Sequence, residues 1–400
     1  MFTFLNRRHS CAKTSYFLNA LPIVAFTAVV ALSAAVTTTA IAQTTIPAPQ
    51  VAARSWLLLD TTSNQMLGAL EPDLKLEPAS LTKLMTAYLT FTAIKEKRLT
   101  LAQRPPVSER AYKAIGSRMF VDRAKPATVE ELMNGMIVQS GNDAAIILAE
   151  AIAGTEDDFA KLMNTQAQKL GLSNTSFKNA TGLPDAQHFS TARDMAMLAQ
   201  RIISDFPEFY PIYSKKEYRY NNIAQANRNN LLFVDPTVDG VKTGRTDAAG
   251  YCLVASAKRG DRRLISVVMG TGSETARAIE SQRLLNHGFQ NFEIAKPIAA
   301  NQVLGTYRIW KGAINEVKGV VAGGLMVTIP KGRADAIKAE VERTQPLLAP
   351  IAAGQKIGTV RVKLDDKVIA ERPLVAEKAI DEAGFFGRLW DTIQLWFKKD

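Results

Sequence analysis

The chain has 400 residues and a formal net charge of +11, with 49 Lys and Arg against 38 Asp and Glu. This length is enough for two domains, and the basic excess favours an anionic partner, either phospholipid headgroups or a carboxylate-bearing polymer, unless it serves solubility alone. Three histidines, two cysteines and the lack of an H-E-x-x-H sequence argue against a zinc peptidase. We expect no metal, no other cofactor and no nucleic-acid partner.

The first 42 residues have the order of a secretory signal peptide. They contain basic but no acidic residues, an apolar run over about 18–36, and small residues at the end. Cleavage after the small-x-small sequence at 40–42 would start the mature chain near Gln43. Cys11 would leave with the leader, so Cys252 could form no intramolecular disulfide. A retained transmembrane helix is the alternative.

The next 250 residues or so, over 43–293, predict an α+β domain. Apolar periodicity predicts a first strand and then four helices, over 55–60, 81–94, 129–152, 159–170 and 191–203. Two later segments, 251–257 and 264–269, are predicted to form an antiparallel hairpin. A helix over 274–286 is predicted to pack beside it. Helices gathered around an antiparallel sheet define this fold class.

The pattern of apolar and polar residues changes after residue 293. Short alternating segments, such as 360–364 and 368–370, predict a small all-β domain over 294–378. The last segment, 379–400, predicts an amphipathic helix with seven apolar residues on one face: Phe385, Phe386, Leu389, Trp390, Ile393, Trp396 and Phe397. Aromatic rings on such a face favour the membrane interface and contact with anionic lipids. Docking on the protein's own core is the alternative.

Ser80 and Lys83 form the first candidate for catalysis. Residues three apart share a helix face, so the amine can lie beside the hydroxyl. A serine hydroxyl needs a base, and a lysine can serve if burial or another cation lowers its pKa. The Ser80 amide, at the positive end of the helix, could hold an oxyanion. The spacing alone is weak evidence, because Ser10 and Lys13 repeat it inside the predicted signal peptide.

Two polar triplets follow along the chain. Ser140-Gly141-Asn142 lies between apolar segments and can place a hydroxyl and an amide in a cleft. Lys242-Thr243-Gly244 enters the strand-rich region, where a cation and a hydroxyl could hold a substrate carboxylate. Each triplet alone is more often a cap or a turn. Their order along the chain carries the functional argument.

S-x-x-K, S-G-N and K-T-G in this order resemble the signature of penicillin-binding proteins and class A β-lactamases. The S-G-N-D-A form, which departs from S-D-N, is similar to that of D-alanyl-D-alanine carboxypeptidases among the low-molecular-mass penicillin-binding proteins. Further segments extend the resemblance to the penicillin-binding protein 5 and 6 group over essentially the whole mature chain: 78–83, 139–144, 190–196, 227–229, 238–244, 250–251 and 384–387. The resemblance implies a serine-acylating α+β domain, a β domain and a terminal anchor.

The resemblance also implies a role for each matching residue. Ser80 would attack the D-Ala-D-Ala carbonyl of a peptidoglycan pentapeptide stem, and β-lactams would acylate the same hydroxyl. Lys83 would accept the serine proton. Ser140 would relay a proton to the leaving amine, and Asn142 would bond the substrate amide.

The remaining matches imply recognition of the substrate. Lys242 would set the electrostatic environment and help to keep the base neutral. Thr243, with Gly244 beside it, and Arg228 would bind the terminal carboxylate. The backbone amide of Arg245 would complete the oxyanion site. The closest relatives are expected to have histidine at this last position, which leaves the pH dependence and the deacylation rate open.

Other functions stay open or are disfavoured. A Ser-His-Asp hydrolase is disfavoured because histidines are few and His188 is expected at the surface. A β-lactamase would need a deacylating glutamate, for which Glu109, Glu130 and Glu131 are candidates. A D,D-endopeptidase and a catalytically silent cell-wall binder also fit the motifs. We expect an exported, periplasmic protein attached peripherally to the outer face of the cytoplasmic membrane.

Overall fold

A computed structural model describes residues 46–397, so the predicted signal peptide lies outside the described residues. Seven strands of the described chain belong to its N-terminal part: β1 (Ser55–Asp60), β2 (Gln65–Leu70), β3 (Glu217–Tyr220), β4 (Ile223–Ala226), β5 (Val238–Thr246), β6 (Gly250–Arg259) and β7 (Arg262–Thr271). β3 and β4 pair as a separate hairpin, and the other five form one antiparallel sheet in the order β2-β1-β7-β6-β5. This order leaves β5 at an edge of the sheet.

Eight helices of the described chain surround this sheet: α1 (Lys83–Lys95), α2 (Glu109–Tyr112), α3 (Val129–Val138), α4 (Asn142–Ala153), α5 (Glu156–Lys169), α6 (Ala192–Asp205), α7 (Leu231–Val234) and α8 (Glu274–Asn291). Alternate residues of β1 point into different cores. Leu57 and Leu59 join the core with α1 and α6, whereas Leu58 joins the cluster with α8. Helices therefore cover both faces, which explains the unbroken apolar run in β1 and confirms the α+β prediction.

The single helix predicted over 129–152 is wrong, because the chain forms α3 and α4 with a corner between them. Ser140 has a φ of +64°, a left-handed conformation that cannot continue a right-handed helix. The backbone N–H of Gly141 then donates to the Gly135 carbonyl at 3.1 Å. Apolar periodicity runs on through both helices, so it hides the break at Ser140.

The C-terminal part is all β, as predicted, with eight strands in the described chain: β8 (Phe292–Ile298), β9 (Val303–Trp310), β10 (Glu316–Val320), β11 (Leu325–Pro330), β12 (Ile337–Arg343), β13 (Leu347–Leu348), β14 (Lys356–Leu364) and β15 (Lys367–Ala376). Six of them form a sheet in the order β12-β14-β15-β10-β9-β13, and β11 pairs with β8. Val327, Val360 and Leu374 lie in a hydrophobic core of this part alone. The two parts therefore have separate cores.

A buried polar network joins the two parts. The carboxylate of Asp60, at the end of β1, accepts from Arg262 Nε at 2.7 Å and from Thr328 Oγ1 at 2.9 Å. Thr328 belongs to β11, and its hydroxyl also meets Ser63 at 2.6 Å. A buried charge is costly unless it is paired and hydrogen-bonded, so these partners stabilise one junction geometry.

The last helix, α9 (Phe385–Phe397), is held against the β part by its polar side. Asp391 is buried and accepts from the backbone N–H of Lys311, and Gln394 accepts from Arg308 at 3.1 Å. The seven apolar residues predicted on the other side are 43% to 83% exposed. The helix thus presents its aromatic face outward. Within residues 46–397, no helix combines the length and the apolar character needed to cross a membrane.

Candidate active site

Ser80 and Lys83 are in contact. Residues Ala79–Thr82 form one 3₁₀ turn before α1, and three residues per turn place positions three apart over one another. Lys83 Nζ lies 2.9 Å from Ser80 Oγ and donates to the Thr181 carbonyl at 2.7 Å. Ser80 is partly exposed, whereas Lys83 is buried. The Ser80 hydroxyl can therefore reach a substrate, while the Lys83 amine is shielded from water.

The pKa of Lys83 is lowered to about 7, first by burial and then by the positive charge of Arg228. The carboxylates of Asp143 and Glu156 act in the opposite direction. Lys242, which was expected to help keep this base neutral, also interacts with it, because the positive charge of Lys83 is one cause of the lowered pKa of Lys242. A lysine with this pKa is a usable base at neutral pH.

Ser140 and Lys242 form the second contact. Lys242 Nζ lies 3.0 Å from Ser140 Oγ and 3.0 Å from the Thr243 carbonyl. The pKa of Lys242 is well below its usual value because of burial and the nearby charges of Lys83, Arg228 and Arg277. A second hydroxyl–amine pair therefore lies beside the nucleophile and can move a proton.

Glycines allow three chain segments to meet at the nucleophile. A Cβ on Gly244, in β5, would lie 2.9 Å from the Pro78 carbonyl oxygen and 3.3 Å from the Leu81 nitrogen. A Cβ on Gly182 would lie 1.8 Å from the Ala79 carbonyl oxygen, and its φ is +81°. Any side chain at these two positions would push β5 or the 179–183 loop away from the serine turn.

A cleft of about 230 Å³ opens at this meeting point, lined by Ser80, Ser117, Ser140, Arg228, Thr243, Gly244, Arg245, Tyr251, Glu274 and Arg277. Three arginines face one carboxylate, that of Glu274, which Arg277 binds at 2.7 Å. The remaining positive charge suits an anionic ligand. Six of the nine predicted site residues line this cleft, and Lys83 and Lys242 lie directly behind two of its serines.

Asn142 is the third predicted site residue that does not line the cleft. Its Nδ2 donates to the Ile115 carbonyl at 2.6 Å, and its Oδ1 is buried with no hydrogen-bond partner among the described residues. The Asn142 Oδ1 can therefore still accept a hydrogen bond. Its neighbour Asp143 accepts from the backbone of 119–121 and so fixes the loop that carries Ser117.

Arg245 occupies the position where a histidine was expected in relatives. Its side chain lies along the rim of the cleft. Its guanidinium pairs with Asp247 at 2.9 Å and lies 5.4 Å from the centre of the Tyr251 ring. The side chain is 56% exposed, so Asp247 and solvent screen its charge. Position 245 thus carries an exposed guanidinium where a histidine was expected.

Arg277 is a functional residue that sequence reasoning missed. It lies in α8, is 5% exposed, and donates to the Arg228 carbonyl at 3.1 Å. Its guanidinium lies 5.7 Å from the Tyr251 ring centre. An arginine in a helix with many polar residues carries no local signal of burial, because its contacts come from residues far along the chain.

The prediction that His188 lies at the surface is wrong. The side chain is 3% exposed, and its Nε2 lies 2.8 Å from the hydroxyl of Thr82, inside the serine turn. Nδ1 accepts from the Lys178 N–H at 3.3 Å, so Nε2 carries the proton and donates. Bridges between Leu76 and Ser190 bring this loop under the turn. Burial lowers the pKa of His188 to about 4.

None of the three glutamates considered for β-lactamase deacylation lines the cleft. Glu109 is exposed and paired with Lys113 and Arg123. Glu131 closes the capping box of α3 with Thr128, and Glu130 is exposed in the same turn. The geometry gives no support to a β-lactamase that uses one of these groups.

Comparison with known proteins matches both parts of the chain. A family model described as D-alanyl-D-alanine carboxypeptidase matches residues 42–273, and one described as penicillin-binding protein 5, C-terminal domain, matches residues 292–382. D-alanyl-D-alanine carboxypeptidase DacC of Escherichia coli is 44% identical over 365 residues, which are 89% of this chain and 91% of that protein.

Solved structures give the same result. Penicillin-binding protein 5 from Haemophilus influenzae has a TM-score of 0.81 and 42% identity, covering 84% of this chain and 100% of that chain. Penicillin-binding protein D2 from Listeria monocytogenes, solved with ampicillin bound, has a TM-score of 0.56 and 31% identity, covering 61% of this chain and 99% of that chain.

Proposed function

This chain belongs to the D-alanyl-D-alanine carboxypeptidase family, and from that membership we propose how its cleft removes the terminal D-alanine of a peptidoglycan pentapeptide. The protein is a serine peptidase of the penicillin-binding group that acts through an acyl-enzyme and binds β-lactams. The observation that carries the residue assignment is the 2.9 Å contact between Ser80 and a buried lysine, Lys83, in an arginine-lined cleft.

Acylation follows from the two hydroxyl–amine pairs. Neutral Lys83 accepts the proton of Ser80 as Oγ attacks the carbonyl carbon between the two D-alanines. The Oγ–C bond forms and the C–N bond breaks as the proton taken by Lys83 is relayed through Ser140, with Lys242 behind it, to the leaving nitrogen. Water then attacks the ester and gives a proton to neutral Lys83, which returns it to Ser80 Oγ as the C–Oγ bond breaks.

The substrate's charge and shape are matched by the rest of the cleft. Thr243, beside Gly244, and Arg228 bind the terminal carboxylate, with Arg277 supporting the Arg228 backbone. The free Oδ1 of Asn142 accepts from a substrate amide once the peptide enters. The N–H groups of Ser80 and Arg245 hold the oxyanion.

A peptide assay tests this function. Incubation with a pentapeptide ending in D-Ala-D-Ala should release one alanine per peptide, as seen by mass spectrometry. Cleavage between two cross-linked stems without loss of the terminal alanine would identify an endopeptidase instead. An unchanged peptide would identify a cell-wall binder.

The same family membership supports a periplasmic enzyme that α9 attaches to the outer face of the cytoplasmic membrane. The outward aromatic face of α9 is the supporting observation. At about 25 cal/mol per Å², burial of five rings in lipid would stabilise attachment by several kcal/mol. Truncation after Ala383 should release active enzyme from anionic liposomes with little change in melting temperature. Undiminished sedimentation of the truncated form would rule out this anchor.

We place the domain boundaries at 43–293, 294–378 and 379–400. The separate cores and the two family matches support the first division. Ile380 packs in the β core and bridges Ile351, so the first residues of the last segment belong with the β sheet. The helical anchor itself begins at Phe385.

A further inference from the structure

A cavity of about 510 Å³ lies between the β domain and α9, far along the chain from the catalytic residues. Its lining comes from the end of β9 and Lys311 after it, from the end of β12 and the segment 344–348, and from one residue of α9, Leu395. Backbone pairing of β13 with β9, and the Ala349 N–H on the Trp310 carbonyl at 2.9 Å, hold its two walls together.

The cavity is positively charged. Three cations line it, Arg308, Lys311 and Arg343, against one nearby carboxylate, Asp391. Arg308 lies 4.0 Å from Asp391 and stacks 4.1 Å from the Trp310 ring centre. The side chains of Lys311 and Arg343 form no ion pair with any carboxylate of the described residues, although Arg343 can bond the amide oxygen of Gln345. Two cationic groups are therefore available to an anion.

The walls of the cavity are apolar where they approach α9. Leu348 is 46% exposed, and Leu347, Trp310 and Leu395 complete this side. Trp396, the next residue of α9 after Leu395, is 80% exposed and belongs to the outward aromatic face. A lipid surface that covers this face would bring its headgroups to the opening of the cavity, because interfacial rings lie at headgroup depth.

We propose that this cavity binds the phosphate of an anionic phospholipid headgroup while α9 lies in the membrane interface. The proposal rests on the proposed attachment through α9. Arg343 keeps its Nη1 N–H groups for phosphate oxygens when its Nε and Nη2 bond the Gln345 amide oxygen, and Lys311 adds a point charge. The apolar wall then contacts the first part of the acyl chain. Such a site would fix the orientation of the enzyme on the membrane as well as its distance from it.

The test uses the full mature chain and sedimentation with phosphatidylglycerol vesicles or phosphatidylcholine vesicles. The double variant Lys311→Asn, Arg343→Gln removes both free cations, and asparagine is chosen because Lys311 has a φ of +61°. The matched control, Lys356→Gln with Lys367→Gln, removes two exposed charges of the same domain outside the cavity. Melting curves, and the single variant Arg343→Gln, check that any loss does not come from misfolding.

The cavity variant should lose roughly tenfold or more in affinity for phosphatidylglycerol vesicles and little for phosphatidylcholine, since each basic side chain near an anionic surface contributes substantially. The control should lose much less. Equal losses in the two double variants would show diffuse attraction and would overturn the cavity site. Truncation after Ala383 separates the two proposals: if it abolishes binding while the cavity variant binds normally, the anchor stands and the cavity site falls.

A free phosphate ion presents the same chemistry as the headgroup. Sedimentation is therefore repeated in inorganic phosphate and in chloride at matched ionic strength. Because the two ligands compete for Arg343 and Lys311, phosphate should weaken vesicle binding of the wild type more than chloride does, and this difference should vanish in the cavity variant. Calorimetric binding of inorganic phosphate without vesicles that is lost in the cavity variant, together with equal vesicle binding by variant and wild type, would assign the cavity to the free ion and overturn the lipid assignment.

Discussion

Lys83 Nζ lies 2.9 Å from Ser80 Oγ, and the turn that joins them carries the amine into the interior while the hydroxyl stays at the cleft. Burial is the first cause of the lowered pKa, so the same feature that positions the base also makes it usable. The pair is held from behind by the Thr181 carbonyl, which accepts from the amine at 2.7 Å.

The pH dependence of acylation should follow this amine. Only neutral Lys83 can accept a proton, so the acylation rate should rise with pH through about 7. Lys83→Arg keeps the charge and removes the base, and it should slow acylation by at least about a hundredfold. Stopped-flow measurement with a fluorescent penicillin gives both results. Near-normal acylation of Lys83→Arg at neutral pH would refute this role.

Arg228 links carboxylate binding to the base. Its positive charge lowers the pKa of Lys83, so Arg228→Gln should raise that pKa and move the rising limb of the acylation profile to higher pH. Loss of the carboxylate partner should also raise KM for the pentapeptide roughly tenfold.

Arg219→Gln is the matched control, because it removes an exposed arginine of β3 that does not line the cleft. It should leave both KM and the pH profile unchanged. If the two variants give the same profile, Arg228 has no special electrostatic role.

Gly244 sets the distance between β5 and the serine turn. In Gly244→Ala the new Cβ would lie 2.9 Å from the Pro78 oxygen, so strand or turn must move. We expect the acylation rate to fall at least about tenfold, because small displacements of positioned groups are costly. Gly272→Ala, whose Cβ would meet no atom within 4 Å, should acylate normally. A fully active Gly244→Ala would show that this close approach is not needed.

His188 should make the fold sensitive to acid. Its pKa falls from an ordinary 6.5 to about 4 in the folded chain, so the unfolded chain binds a proton more readily between these values. Its contribution to stability is therefore complete above pH 6.5 and is lost as pH falls towards 4, by on the order of 3 kcal/mol. Urea unfolding from pH 7 to 4 measures this slope.

His188→Gln cannot titrate, and its amide can still donate to Thr82. This variant should lose less stability over the same pH interval than the wild type, with the catalytic profile near neutral pH preserved. Parallel stability curves for the two proteins would mean that other groups carry the acid sensitivity.

The sequence predicts the serine–lysine pair because their contact is local, and it predicts the hairpin of β6 and β7 from alternation and a tight turn. The contact between Ser140 and Lys242 spans 102 residues, so spacing cannot give it, and the family resemblance implied only that both residues belong to one site. Neither the local sequence pattern nor the family resemblance predicted that Arg277 and His188 are buried. Their burial depends on tertiary contacts with the Arg228 carbonyl and the Thr82 hydroxyl, which leave no periodic or compositional signal.

Intact-protein mass spectrometry after incubation with penicillin tests the assignment of the nucleophile most directly. The wild type and Ser117→Ala, which removes another cleft serine, should each gain one penicilloyl group, and Ser80→Ala should gain none. Release of one alanine from the pentapeptide should disappear in Ser80→Ala as well. A penicilloyl adduct that survives Ser80→Ala would place the nucleophile elsewhere and contradict the mechanism built on Ser80 and Lys83.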